Sequence, residues 1–201
     1  WYWYGMALCH QGQHKQAVDP LTAALEADGH SLTVARGLAQ AACAAGRPEA
    51  VRTALNAFPN DSAILSDMAT AVFRTYSWNM HPRSNEAERR TGRKQLREAI
   101  GHARAAVAID PANAEARIFL ARLLNEADEN EEAVEHLLAA ERFGPLGYEG
   151  YGLLGECCKA LGDHDAAAAA YAAVGKVAPT MAHGANWQRG LALWRAGRSD
   201  E

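Results

Sequence analysis

The chain has 201 residues, nearly half of them hydrophobic but only 7% aromatic, and a formal net charge of −4. Ala and Leu dominate the apolar content, which suits closely packed helices and argues against a β-sandwich, whose strands favour β-branched and aromatic residues. The negative balance excludes general nucleic-acid binding, which needs a basic excess, and no apolar run reaches the roughly 18 residues of a membrane span.

The first stretch reads as a helix pair. Tyr4, Gly5 and Leu8 share one face, Gly12 breaks the run, and Ala17, Leu21 and Ala24 form a second face; recurrence at i, i+3, i+4 and i+7 is the helical signature. Pro20 removes a backbone bond from that second helix, so the helix is expected to start late, near Gln16, or to kink. Leu32 to Pro59 repeats the theme with Leu38, Ala39 and Ala42, a break at Gly46, and Ala50, Ala54 and Ala57. Pro48 falls where a first-turn proline costs nothing.

Ser62 to Phe73 is a third first-helix, with Leu65, Met68, Ala69 and Val72 facing inward. Its partner is late: a small residue is due near position 81, and the matching one is Ala99, 18 later. The extra length predicts an aromatic loop from Tyr76 to Pro82, then a charged helix started by Asn85 and Glu88. Beyond it, Pro111, Pro145 and Pro179 stand 34 apart, as do Ala99, Ala133 and Ala167. A fixed period of that size marks a repeat architecture. Turns are expected at Asp128-Glu129-Asn130 and Gly162-Asp163-His164, and a last helix from Ala185 carries Trp187, Gly190, Leu191 and Trp194.

These units resemble the tetratricopeptide repeat family. One reads Tyr151, Leu154, Gly155, Cys158, then Ala167, Tyr171, Val174 and Pro179; its predecessor reads Leu120, Ala121, Leu124, then Ala133, Leu137, Ala140 and Pro145. Small residues at Gly5, Ala39, Ala69, Ala121 and Gly155 let paired helices approach. Large ones at Leu38, Met68, Leu120 and Leu154 fill the gap to the next unit. The resemblance implies an all-α fold: a right-handed α-solenoid of stacked antiparallel helix pairs over residues 1–201, treated as one domain. Its repeats are about 1–29, 30–60, 61–111, 112–145 and 146–179, with a partial sixth at 180–201. Trp1 opens the chain without Met or a basic-then-apolar leader, so a longer parent chain is expected.

Little in the chain suggests catalysis, and no cofactor or metal is expected. Cys9, Cys43, Cys157 and Cys158 lack ligand spacing and read as small buried hydrophobes of a reducing compartment, which favours the cytoplasm. His14 with His164 and His102 with His136 occupy equivalent repeat positions without an evident third ligand. No phosphate loop, nucleophile elbow or zinc-protease helix occurs.

The family resemblance instead implies a groove lined by the first helices. Its ligand-facing slots fall on Arg36 and Gln40, on Ser66, Thr70 and Arg74, on Arg122, Asn125 and Glu126, and on Glu156 and Lys159. Arg recognises carboxylates bidentately, so Arg36, Arg74 and Arg122 suggest an acidic or C-terminal peptide. The set by which chaperone-binding members hold a terminal carboxylate is not matched: Asp67, Glu115 and Phe119 stand at its slots. A second docking surface is read from the insertion: Tyr76 and Trp78 with Arg89, Arg90 and Arg93. Residues 83–104 carry seven Arg or Lys and three Glu, whereas 112–145 carry three Arg and eight acidic residues. The basic helix either leans on that acidic repeat or receives an acidic partner. The leading reading is an interaction scaffold for a protein or peptide partner. The alternative is a regulatory or substrate-presenting region of a larger transferase or oxygenase, as bacterial proteins of similar sequence often fuse such repeats to enzymes. Self-association through the terminal helices is a third option.

Overall fold

The computed structural model describes residues 1–79 and 84–198, and of Trp78 and Asn79 the backbone alone. All regular structure among the described residues is helical, and it falls into two compact units, Trp1–Asp110 and Pro111–Glu201. The first unit holds three helix pairs: α1 (Tyr2–His10) with α2 (His14–Ala27), α3 (Leu32–Ala45) with α4 (Pro48–Ala57), and α5 (Ser62–Asn79) with α6 (Glu86–Ile109). The second holds α7 (Ala114–Glu126) with α8 (Asn130–Glu141) and α9 (Gly147–Ala160) with α10 (His164–Val177). A 3-10 turn at Pro179–Met181 then leads to α11 (Ala182–Arg195). The helices of each pair pack on one another, and first helices of successive pairs also touch: α3 on α5, α7 on α9.

Close approach within a pair depends on missing side chains. A Cβ on Gly5 would stand 2.6 Å from Cγ of Leu21, and one on Gly155 would stand 2.6 Å from Cε1 of Tyr171. Ala39, Ala69 and Ala121 occupy the same slot in the other pairs and are wholly buried. Beside them Leu38, Met68 and Leu120 are also wholly buried, and burying such a side chain contributes roughly 1.5–3 kcal/mol.

Helix ends follow local chemistry. Asn85 accepts a hydrogen bond from the Glu88 amide while Glu88 accepts one from the Asn85 amide, so the expected capping box starts α6. Asn113 and Asp163 cap α7 and α10 through the amides of Ala116 and Ala166. Gly46 ends α3 in the left-handed region at φ 70°, where glycine has no Cβ penalty. The turn after α7 forms as expected, with Asp128 at φ 61°.

Three expectations need correction. α2 begins at His14 and continues through Pro20; burial of Ala17, Val18, Leu21, Ala24 and Leu25 along one face outweighs the missing amide. The aromatic stretch from Tyr76 is not a loop as far as Asn79, because α5 continues over 18 residues. Tyr76 is buried and stacks on Phe73 with ring centroids 5.3 Å apart. Met80, His81 and Pro82 lie outside the described residues. The inserted length therefore goes largely into helix, and α6 reaches 24 residues. Lastly, α11 starts at Ala182 rather than Ala185.

Two glycine replacements separate close approach from helix propensity. Gly155→Ala is expected to lower unfolding free energy by about 1–3 kcal/mol, since Tyr171 must move. Gly101→Ala, where the new Cβ meets nothing within 4 Å, is expected to raise it by about 0.5–1 kcal/mol. Urea denaturation of both variants checks the pair.

Candidate functional site

In the second unit, first helices α7, α9 and α11 together with α10 line a cleft of about 460 Å³. Helical spacing puts its lining in register: Arg122, Asn125 and Glu126 share a face of α7, and Glu149, Gly152, Leu153 and Glu156 share a face of α9. Met181, Gly184, Ala185 and Gln188 add the α11 side, and Tyr171 and Val174 come from α10. Leu153, Tyr171, Val174 and Ala185 are buried, whereas Tyr148 and Met181 are exposed. An apolar floor under a polar rim is the usual chemistry of a binding cleft.

The rim is acidic. Among the lining residues Arg122 is the one cation, against Glu126, Glu149 and Glu156, and Arg122 Nη2 donates to Glu149 Oε2 at 2.8 Å. Tyr148 also donates to Glu149, at 3.1 Å. Arg122 first and Tyr148 second hold the Glu149 carboxyl below its ordinary value. Asn125 Nδ2 donates to Asn130 Oδ1 at 2.8 Å. Tyr171 is 4% exposed, and its hydroxyl has no hydrogen-bond partner among the described residues. Burial first, and the nearby Glu156 carboxylate second, push that phenol up to about 12.

Four predicted slots, Arg122, Asn125, Glu126 and Glu156, thus meet in one cleft, while Lys159 is half-buried outside its lining. The first-unit slots are engaged differently. Arg36 donates to Asp61 from Nη2 at 2.7 Å and from Nε at 3.1 Å, and Asp61 also accepts from the Ile64 amide at 3.0 Å. Burial raises the Asp61 carboxyl, but hydrogen bonds from Arg36 and the helix amides outweigh it, and the net direction is downward. Arg74 Nη1 donates to the Cys43 carbonyl at 2.8 Å, satisfying the end of α3. Thr70 donates to the Ser66 carbonyl of its own helix at 2.9 Å. Gln40 is exposed and Ser66 half-buried.

The insertion surface is also altered. Tyr76 is buried, so it is not a docking residue, and the Trp78 side chain lies outside the described residues. Arg89, Arg90 and Arg93 are exposed on α6, with Arg93 donating to Glu86 at 2.6 Å. His102 lies 3.9 Å from Glu98, and His136 lies 3.6 Å from Glu132, each across one turn of its own helix. Cys43, Cys157 and Cys158 are buried free thiols and Cys9 is half-buried; burial pushes Cys43 and Cys157 up to about 11. Among the described residues no group of three or more His, Cys, Asp or Glu could hold a metal, and no helix is long and apolar enough to cross a membrane.

Family models for the tetratricopeptide repeat match residues 8–72, 91–146 and 148–180. The chain belongs to the tetratricopeptide repeat family. Solved structures of similar fold include a thermophilic repeat protein of Thermus thermophilus, at 20% identity and a TM-score of 0.63 over 96% of this chain and 97% of that one. YrrB, described as a repeat protein with an unusual peptide-binding site, aligns at 15% identity and a TM-score of 0.69 over 92% and 90%. MamA from Desulfovibrio magneticus aligns at 16% identity and a TM-score of 0.65 over 86% and 88%. Among curated protein sequences none matches.

Of the tetratricopeptide cleft, sequence reasoning missed Tyr148, Glu149, Leu153, Val174, Met181 and Gln188 as lining. The α9 members stand one or two helical turns from predicted Glu156, so the face was readable there. The α10 and α11 members come from elements that the slot pattern does not use. In the sequence Tyr171 is only the aromatic residue of the repeat pattern; its contact with Gly155 comes from the structure.

Asp67 on α5 supplies a pH test of this framework. It is half-buried, and burial first and the Asp61 charge second push its carboxyl up to about 6. The folded chain therefore holds this proton more tightly than the unfolded chain, whose Asp titrates near ~4. That contribution is full below the unfolded value and is lost as pH rises through the folded one. Asp67→Asn is expected to stabilise the protein by about 1–2 kcal/mol at pH 7 and by little at pH 3.5, as measured by denaturation at both values.

Proposed function

We propose that this chain is a protein-interaction scaffold that seats a segment of a partner protein in the cleft of its second unit. The observation that carries the reading is the joint lining of one cleft by α7, α9 and α11, with a buried apolar floor and a polar rim. Repeat folds use such surfaces for binding because stacking neighbours creates them without separate loops. The arginines do not support an acidic ligand, since Arg36, Arg74 and Arg122 are each already engaged.

Gly152 offers a clean test. A Cβ there meets nothing within 4 Å, so Gly152→Trp starts from an open position and directs its bulk into the cleft. Twelve-residue peptides selected from a random library on the unmodified protein are expected to lose at least about tenfold in affinity on the variant. Circular dichroism and the urea midpoint are expected to hold. Peptides that bind both proteins equally, by fluorescence anisotropy, would reject the cleft.

A second reading is self-association, favoured by the exposed aromatics Trp1 and Trp3 at the start of the chain and Trp187 and Trp194 on α11, because exposed aromatic surface marks contact sites. Sedimentation is expected to show a mass that rises with concentration and reverts on Trp187→Ser with Trp194→Ser. A constant mass counts against it.

A further inference from the structure

The face of α6 turned away from its core carries a stripe of cations. Buried Gly92, Leu96, Ala99 and Ala103 recur at intervals of four, three and four, which puts them in one line along the helix. Positions two residues earlier stand about 200° around the axis. Arg90, Lys94, Arg97 and Gly101 fill them, all exposed, and the three cations span about 10 Å of helix. Ion pairing on α6 is lopsided. Its carboxylates are committed: Glu86 to Arg93 at 2.6 Å, Glu88 to the Asn85 amide at 2.7 Å, and Glu98 to Arg52 of α4 at 2.7 Å. Unlike the groove arginines, Arg90, Lys94 and Arg97 form no ion pair or hydrogen bond among the described residues. Gly101 is a second departure on the same line. Glycine inside a helix is less favourable than Ala, and a Cβ here would meet nothing within 4 Å, so no packing among the described residues requires it. What it leaves is bare backbone beside Arg97, where a second backbone can come close.

We propose that this face of α6 docks an acidic helix of a partner protein. Carboxylates at i, i+4 and i+7 of that helix meet Arg90, Lys94 and Arg97 one for one, and its backbone passes over Gly101. Complementary charge at matched spacing gives register and specificity. Nucleic acid fits less well: α6 has no Trp, Tyr or Phe to stack single-stranded bases, and the net charge of −4 repels a polyanion beyond the stripe. None of these residues lines the second-unit cleft, so the proposal does not depend on the cleft reading.

Three fluorescein-labelled synthetic peptides of 18 residues test it, each rich in Ala to favour helix. One carries four Glu on a single helical face, one carries Gln at those positions, and one has its four Glu spread around the helix. Anisotropy titrations against the full chain are made at low and at raised NaCl. The one-faced Glu peptide is expected to bind about tenfold more tightly than the Gln peptide and about threefold more tightly than the spread one. Both advantages are expected to shrink with salt. Arg90→Gln with Lys94→Gln and Arg97→Gln is expected to abolish them. Lys15→Gln with Lys176→Gln and Arg195→Gln, an equal charge change at other exposed positions, is expected to leave them. Gly101→Gln is expected to weaken the one-faced peptide about threefold with an unchanged or raised urea midpoint, and Gly152→Trp to have no effect. Equal binding of the two Glu peptides, equal loss in the two triple variants, or full affinity for Gly101→Gln would overturn the proposal. Weakening by Gly152→Trp would overturn it by placing the peptide in the cleft. Tighter binding of a labelled single-stranded oligonucleotide, lost in the first triple variant, would overturn it in favour of nucleic acid. Low-salt self-association lost in that variant, with no peptide bound, would overturn it in favour of a second copy.

Discussion

The structure depends on a steric allowance: within each helix pair, one residue must be small where the partner helix crosses. At Gly155 there is no room for even a single carbon, because the Tyr171 ring fills the space. The close approach buries apolar area on both helices, and it also sets where the ring ends. Tyr171 fills the pair's core with its ring and is one of the residues that line the second-unit cleft. Gly5 and Leu21 make the equivalent contact in the first unit with a side chain that has no polar end.

The groove-slot arginines show a second use of the repeat period. Arg36 on α3 binds Asp61 at the start of α5, Arg74 on α5 binds the carbonyl end of α3, and Arg122 on α7 binds Glu149 on α9. Each joins the first helix of one repeat to the first helix of the next. Exposed pairs of this kind contribute little on their own, but the Asp61 carboxylate is buried and hydrogen-bonded by a helix amide as well, which makes that link the strongest of the three. Together they tie neighbouring repeats.

Local rules and period make the helix pairs legible from the residues alone. The Asn85–Glu88 start, the Gly46 stop and the small-residue slots at Ala39, Ala69, Ala121 and Gly155 all form as the residues suggest. Pro20 misleads because local propensity is weak beside a buried face of five residues. The Tyr76 stretch misleads because aromatic residues near a proline read as a loop, whereas the helix continues and Tyr76 is buried in it, stacked on Phe73. At the site, slot positions find the α7 face and Glu156, but a slot says where a side chain points and not what it has already bonded. That Arg122 is occupied and Tyr171 unsatisfied are facts of three-dimensional pairing, which no single-chain pattern encodes.

The long hairpin of α5 and α6 has a kinetic consequence. These helices make the most extensive helix–helix contact among the described residues, and only residues 80–85 separate them in sequence. Closing so short a connection costs little chain entropy, and contacts between sequence neighbours form early. In a repeat array, where folding spreads outward from wherever it begins, that hairpin is the natural seed for the first unit. The inserted length that breaks the 34-residue period would then set the order in which its shorter neighbours assemble.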